Sequence, residues 1–405
     1  MKLSYASIFA LTAASAALLT LLAQAQQPVP AEIRTGVTPK GITWPSPMIP
    51  DGPINLETGV ERTLKIVVTK GLNQPFGMAF LPDGSILITE RPGRLRIVKN
   101  GVLQPDAIPG TPQVQAQGLG GLEDIALHPR FAENGLIYFT YHKPPPPTNG
   151  KATGSGIITL GRGRWNGSAI TGFQELFATI VSGNASRLIF GRDGMVYMSV
   201  GSGDPPIGQR AQDPNDLAGK ILRLRDDGTV PPDNPFVGRA GYRPEIYTMG
   251  HRIPLGLAIN PVTGSIWECE NGPNGGDEVN ILQAGKNYGW PLVSYGTDYD
   301  GTVIPSPDSR ADLAKPAIYW APVIAPGNIT FYNGAMFPDW NGSMLIGGMA
   351  TKVLARVTFD GKGGAKMAER WDVGFRVRDL AVAADGSVWL VEDAFPGGLY
   401  KLTKK

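Results

Sequence analysis

The sequence predicts an all-β fold, a six-bladed β-propeller, on two observations: one strand-turn-strand phrase recurs six times, and turn-forming residues are abundant. Each phrase is an apolar strand, a polar turn of Asp-Gly or Asn-Gly type, and a second apolar alternating strand. The copies read GMAFLPDGSILIT (77–89), IALHPRFAENGLIYFT (125–140), LIFGRDGMVYMSV (188–200), LAINPVTGSIWE (257–268), GAMFPDWNGSMLI (334–346) and LAVAADGSVWLV (380–391). Their irregular spacing, with long insertions, fits one such hairpin per blade. A two-sheet sandwich, the competing all-β fold, would space its strands more evenly. Glycine (53) and proline (36) make up about a fifth of the 405 residues without a collagen-like period, which points to many tight turns.

The segments divide in order along the chain. Residues 1–25 read as a signal peptide: Lys2 supplies the positive start, residues 8–22 the apolar run, and Ala23-Gln24-Ala25 the small-x-small cleavage site. The run is short and diluted by Ala, Ser and Thr, and nothing later resembles a membrane span. A periplasmic or secreted location is therefore expected. Residues 26–62 are rich in Pro and Gly and read as an extended N-terminal arm or linker. Residues 63–405 read as the propeller.

Composition narrows the function classes. The 37 basic residues against 35 acidic ones give a formal charge of +2. With no block of like charge, a nucleic-acid or anionic-membrane partner is not expected. The lone Cys269 excludes an intramolecular disulfide and a thiolate metal cluster, and reads as a small buried apolar residue.

A series of ordered phrases then points to a family. GLNQPFGMAFLPDGSILITERPGRLRIV (71–98), GGLEDIALHP (120–129), GKILRLRDDGTVPPDNPF (219–236), PEIYTMGHRIPLGLAINP (244–261), ENGPNGGDEVNILQAGKNYGWPLVSYG (270–296) and FRVRDLAVAADGSVWLVED (375–393) resemble the bacterial aldose sugar dehydrogenases. These are relatives of soluble quinoprotein glucose dehydrogenase and sorbosone dehydrogenase, and the resemblance spans roughly residues 65–403. It implies a calcium-binding propeller that holds pyrroloquinoline quinone (PQQ) at the channel mouth. Such enzymes oxidise the anomeric carbon of sugars, a histidine taking the hydroxyl proton while hydride moves to the quinone. A sugar-like small molecule and an electron acceptor are the expected partners, with a homodimer as the expected assembly should one form.

The resemblance assigns roles residue by residue. Arg252, Arg376 and Arg378 match cofactor-binding positions, and a guanidinium fork suits a tricarboxylate. Arg376 and Arg378 alternate along a strand and so share a face. Gly272 and Pro273 match a calcium held by backbone oxygens, and Asp277, Glu278 and the Tyr288 carbonyl match a second calcium, with the hard ligands such an ion takes.

Several positions depart from the family. The proton-accepting histidine lies four residues before Arg187, and that position is Gly183, which cannot accept a proton. Of the three histidines, His128 and His251 read as structural, and His142 is expected to face solvent. Ile253 replaces an asparagine, Ala350 a lysine (with Lys352 two residues on), and Leu119 a glutamine. The mouth is thus expected to be more apolar than its relatives'. Glu90, Asp124 and Asp204 are the weak candidates for a substitute base. The alternative reading is a calcium-dependent hydrolase, lactonase or lyase drawing oxygens from Glu90, Asn184, Asp204 and Glu270, or a non-catalytic ligand-binding propeller.

Overall fold

The computed structural model describes residues 31–33, 54–58, 62–146, 156–179, 184–203, 206–361 and 364–404. The segment 1–25, Gly183, Asp204 and most of the insertion after Lys143 lie outside the described residues.

Six antiparallel sheets of at least four strands form the six blades of a β-propeller. The inner strands are Pro75–Phe80, Leu122–Leu127, Leu188–Phe190, Pro254–Ile259, Pro326–Phe331 and Val377–Val382. Each packs against the inner strands on either side, and the sixth meets the first, so the ring closes. Second strands such as Ile86–Glu90, Val196–Val200 and Met344–Gly348 are buried at every position, because blade-to-blade stacking covers both their faces.

The six repeated phrases are the six hairpins joining inner and second strands. Their turns carry Gly84, Gly135, Gly194, Gly264, Gly342 and Gly386, all with φ between 64° and 81°, a region that costs any other residue a Cβ clash. In five of them a side chain directly before the glycine accepts a backbone N–H two residues on: Asp83 from Ser85, Asn134 from Leu136, Asp193 from Met195, Thr263 from Ser265 and Asp385 from Ser387.

The ring is fastened by its ends. Arg62–Leu72 forms an outer strand of the last blade, antiparallel to Gly397–Lys404. The expectation of an arm over 26–62 is revised where that stretch is described: Ile54–Thr58 pairs with Arg62–Leu72, and Ala31–Ile33 runs parallel to Ile318–Trp320 at the edge of the fourth blade.

Arg187 sits at the axis. Its Nε donates to the Leu255 carbonyl (2.7 Å), Nη1 to the Phe76 carbonyl (3.3 Å) and Asp124 Oδ1 (3.1 Å), and Nη2 to the carbonyls of Gly327 (3.0 Å) and Arg378 (2.7 Å). With Arg187 itself on the third blade, one guanidinium joins all six. Its charge is balanced by Asp124 and by Asp379, 3.5 Å away.

Candidate site at the channel mouth

The inner strands begin at one end of the channel, just above Arg187. An apolar floor forms there from Phe76, Ala185, Leu255 and Met349, with Leu119, Ile253 and Ala325 packed against it. Beside it lies a cavity of about 410 Å³ lined by Arg252, Ile253, Gly272, Pro273, Tyr299 and Ala350, among others. Leu119, Ile253 and Ala350, far apart in sequence, thus collect at one mouth. The polar groups that the family resemblance leads one to expect are replaced there by hydrocarbon.

The three arginines stand around this floor in different states. Arg252 is buried; its Nη1 donates to the carbonyls of Asn271 (2.7 Å) and Gly272 (2.8 Å), and Nη2 lies 3.2 Å from the Tyr299 hydroxyl. Its guanidinium faces the rings of Trp290 and Tyr299 at 5.3 and 5.7 Å, a cation–π arrangement. Arg376 and Arg378 converge on Asp393 Oδ2, at 2.9 and 2.8 Å. Burial alone would raise the Asp393 carboxyl, but the two arginines outweigh it and hold it below its ordinary value. The Arg376 side chain is 44% exposed, whereas that of Arg378 is 1% exposed. Arg378 lies 5.2 Å from the Phe76 ring, and its Nε and Nη1 have no hydrogen-bond partner among the described residues. Burial pushes its pKa down, with Asp393 opposing. Two desolvated, unmatched donors on a cation are costly unless an anion meets them.

The acidic loop behind Arg252 separates into two roles. Asp277 Oδ1 accepts from Gly272 N (2.8 Å), and Oδ2 from Ile324 N and Ala325 N (2.6 Å each). It therefore pins the Gly272 loop to the start of the fifth blade. Burial pushes it up to about 7 against those amides. Glu278 is buried close to Glu270, and burial first, then Glu270, raises its pKa well above the usual range. Glu270, Gly272, Glu278 and Tyr288 border a space of about 10 Å³, room for one ion or water. The Tyr288 hydroxyl donates to the Ile281 carbonyl (2.6 Å), which fixes that loop.

The substitute bases fare unevenly. Glu90 accepts from Asn73 N (2.7 Å) and Arg94 Nε (2.6 Å), and Arg96 lies 3.4 Å away. Asp124 accepts from Arg187 and from Leu188 N (2.9 Å). Both carboxylates are engaged in joining strands. Asp204 and Gly183 lie outside the described residues. The expectation that His142 faces solvent is corrected: it is 3% exposed, with Nδ1 3.4 Å from the buried Glu123. Gly120 and Gly156 make this possible, since a Cβ on either would come within 2.8 Å of the His142 side chain. His128 is buried between Tyr138 and Phe190, and His251 is fully buried.

Sequence reasoning missed Phe76 and Met349 in the floor, Trp290 and Tyr299 around Arg252, and Arg187 as the hub. Only Arg187 carried a signal, its place in the phrase before the third inner strand. Trp290 and Tyr299 reach the mouth from loops whose path no periodicity encodes.

Comparisons with known proteins agree with the propeller fold. The glucose/sorbosone dehydrogenase family model matches residues 72–401. The aldose sugar dehydrogenase YliI of Escherichia coli is 36% identical over 353 residues, covering 84% of this chain and 92% of that protein. The crystal structure of the soluble E. coli aldose sugar dehydrogenase in its apo-form is similar with a TM-score of 0.77 at 33% identity, over 84% of this chain and 100% of that one. The PQQ-bound aldose sugar dehydrogenase of Streptomyces coelicolor is similar with a TM-score of 0.67 at 25% identity, over 84% and 99% of the two chains. With the family model spanning nearly the whole propeller, the chain belongs to the glucose/sorbosone dehydrogenase family.

Proposed function

We propose that this chain is a periplasmic quinoprotein dehydrogenase that uses PQQ and calcium to oxidise an aldose or a related alcohol or aldehyde. The observation that carries the reading is Arg378, whose Nε and Nη1 are buried and unmatched beside the mouth. Together with the half-exposed Arg376 it suits the carboxylates of a planar tricarboxylate.

PQQ, when bound, supplies the two-electron acceptor. The chain's own residues would do the rest. Asp393 fixes the two guanidinium groups from one side, leaving their other faces for the cofactor's carboxylates. Phe76, Leu119, Ile253 and Met349 exclude water from the floor, which strengthens each charge interaction there. Glu278 and the loop of Gly272, Pro273 and Tyr288 would hold calcium, the ion offsetting the buried carboxylates. Positions 253 and 350 offer no amide or ammonium, so affinity would rest on the arginines.

With Glu90 and Asp124 engaged elsewhere, Asp204 is the proton acceptor we assign. It follows Gly203, whose N–H donates to the Arg252 carbonyl (3.1 Å) and whose carbonyl accepts from Trp290 Nε1 (2.9 Å). The test is dye reduction by protein loaded with PQQ and calcium. Turnover with aldoses is expected, and Asp204→Asn should lower kcat by about 10²–10⁴-fold while PQQ binding persists. No dye reduction with any aldose by loaded wild type would overturn the reading.

A further inference from the structure

Beneath Arg252 a second group of buried side chains, His251, Glu268, Glu270 and Asn280, adjoins the Glu278 space. Glu268 and Glu270 lie two apart on the strand Ile266–Glu270 and so share a face. Asn280 and Glu278 stand opposite them in register on Asp277–Ile281. His251, just before the fourth inner strand, closes over this face. Relative exposure is 0% for His251, Glu268 and Asn280 and 4% for Glu270. Neither Glu268 nor Glu270 meets a Lys or Arg side chain among the described residues; their one basic neighbour is His251.

The ring of His251 is already oriented. Its Nε2 lies 2.9 Å from the Thr248 hydroxyl, and the ring stacks on Tyr288 at 4.9 Å. Nδ1 has no hydrogen-bond partner among the described residues and lies 3.4 Å from Glu270 Oε1 and 3.8 Å from Glu268 Oε2. Glu268 Oε1 is likewise unpartnered among the described residues. One ligand atom from each of the three residues lies within 4.8 Å of the others. Asn280 Nδ2 donates to Glu268 Oε2 (3.1 Å) and Glu270 Oε1 (3.2 Å), holding both carboxylates toward the ring.

The geometry points to a buried site for one first-row divalent cation of the zinc or manganese type, held by His251 Nδ1, Glu268 and Glu270. Ligands about 2.1 Å from a tetrahedral ion stand about 3.4 Å apart, close to the spacing around Nδ1. Thr248 on the far ring nitrogen and Asn280 on the carboxylates are the outer partners such a site uses. An imidazole nitrogen with few oxygens selects against calcium, which separates this site from the Glu278 and Tyr288 loop. The ion would neutralise two carboxylates that meet no arginine or lysine side chain among the described residues. It would also fix Arg252, whose backbone N–H donates to Glu270 Oε2.

The test uses the full chain refolded with zinc and calcium, desalted into metal-free buffer and analysed for both metals by mass spectrometry. Close to one equivalent of zinc per chain is expected. Glu268→Gln, nearly the same shape, should hold less than a tenth of that with its calcium content unchanged. X-ray absorption on the wild-type zinc form should show one nitrogen and carboxylate oxygens at about 2.0–2.2 Å, a readout that stands if the variant fails to fold. Wild type without zinc, a variant that keeps its full equivalent, or an all-oxygen shell would each overturn the site.

Discussion

Single residues at the mouth show how burial changes what a charge does. The Arg378 guanidinium is placed where water cannot serve two of its nitrogens, whereas Arg376, two residues earlier, keeps contact with solvent. The RxRD phrase led to the expectation that both arginines lie near a ligand; it could not show that one would be stranded, because that depends on Phe76 and Met349 from other blades. Lys220 is a second case. Its Nζ donates to the carbonyls of Arg210 (3.1 Å), Ala211 (3.0 Å) and Ala218 (2.8 Å). Burial pushes its pKa down to about 7 although Asp216 and Asp213 oppose the shift. A lysine depressed in the folded state sheds its proton there while the unfolded chain still binds it. Between pH 7 and the ordinary lysine value, folding stability therefore rises with pH, by up to about 1.4 kcal/mol per unit from this group. Urea unfolding at pH 7 and pH 9 should show wild type gaining stability relative to Lys220→Met; parallel pH dependence in the two proteins would contradict the assignment.

At the scale of elements, the hairpins were the most legible part of the chain. Alternating apolar strands around a polar-Gly turn, Asx-Gly in five copies and Thr-Gly in one, encode both the pleat and the left-handed turn residue locally, so six copies marked six blades. The outer strands and insertions were less legible because their register is set by neighbours. His142 is the example: the prolines after it suggest an exposed loop, yet Gly120 and Gly156 admit its ring to the interior. The turn glycines allow a graded test. A Cβ at Gly194 meets nothing within 4 Å, so Gly194→Ala costs only the left-handed backbone at φ 76°, about 1–2 kcal/mol. At Gly386 the Cβ would also lie 2.7 Å from Met336 N, and Gly386→Ala should lose more. Equal losses in urea unfolding would show that the contact is relieved without cost.

The whole molecule is organised around its axis. Six blades that touch mainly their neighbours are joined at one point by Arg187, whose phrase marks its position but not its role as hub, because its partners come from the five other blades. Arg187→Met would leave Asp124 and Asp379 as buried, unbalanced acids and should cost about 3–5 kcal/mol, read as a lower urea midpoint. A loss below about 1 kcal/mol would mean that the blades close without the hub. The same axis carries the mouth, and there the sequence was informative about which polar groups are absent but silent on what replaces them. The packing of Leu119, Ile253 and Ala325 on Phe76 and Met349 answers that. In the proposed function, stranded arginine donors, and not amide or lysine contacts, hold the cofactor. Equilibrium titration of the calcium-loaded chain with PQQ tests it most directly. Binding at micromolar concentration or tighter is expected for wild type, weakened about 10–100-fold in Arg378→Ala. No binding to wild type at micromolar PQQ, or equal affinity in the two proteins, would contradict it.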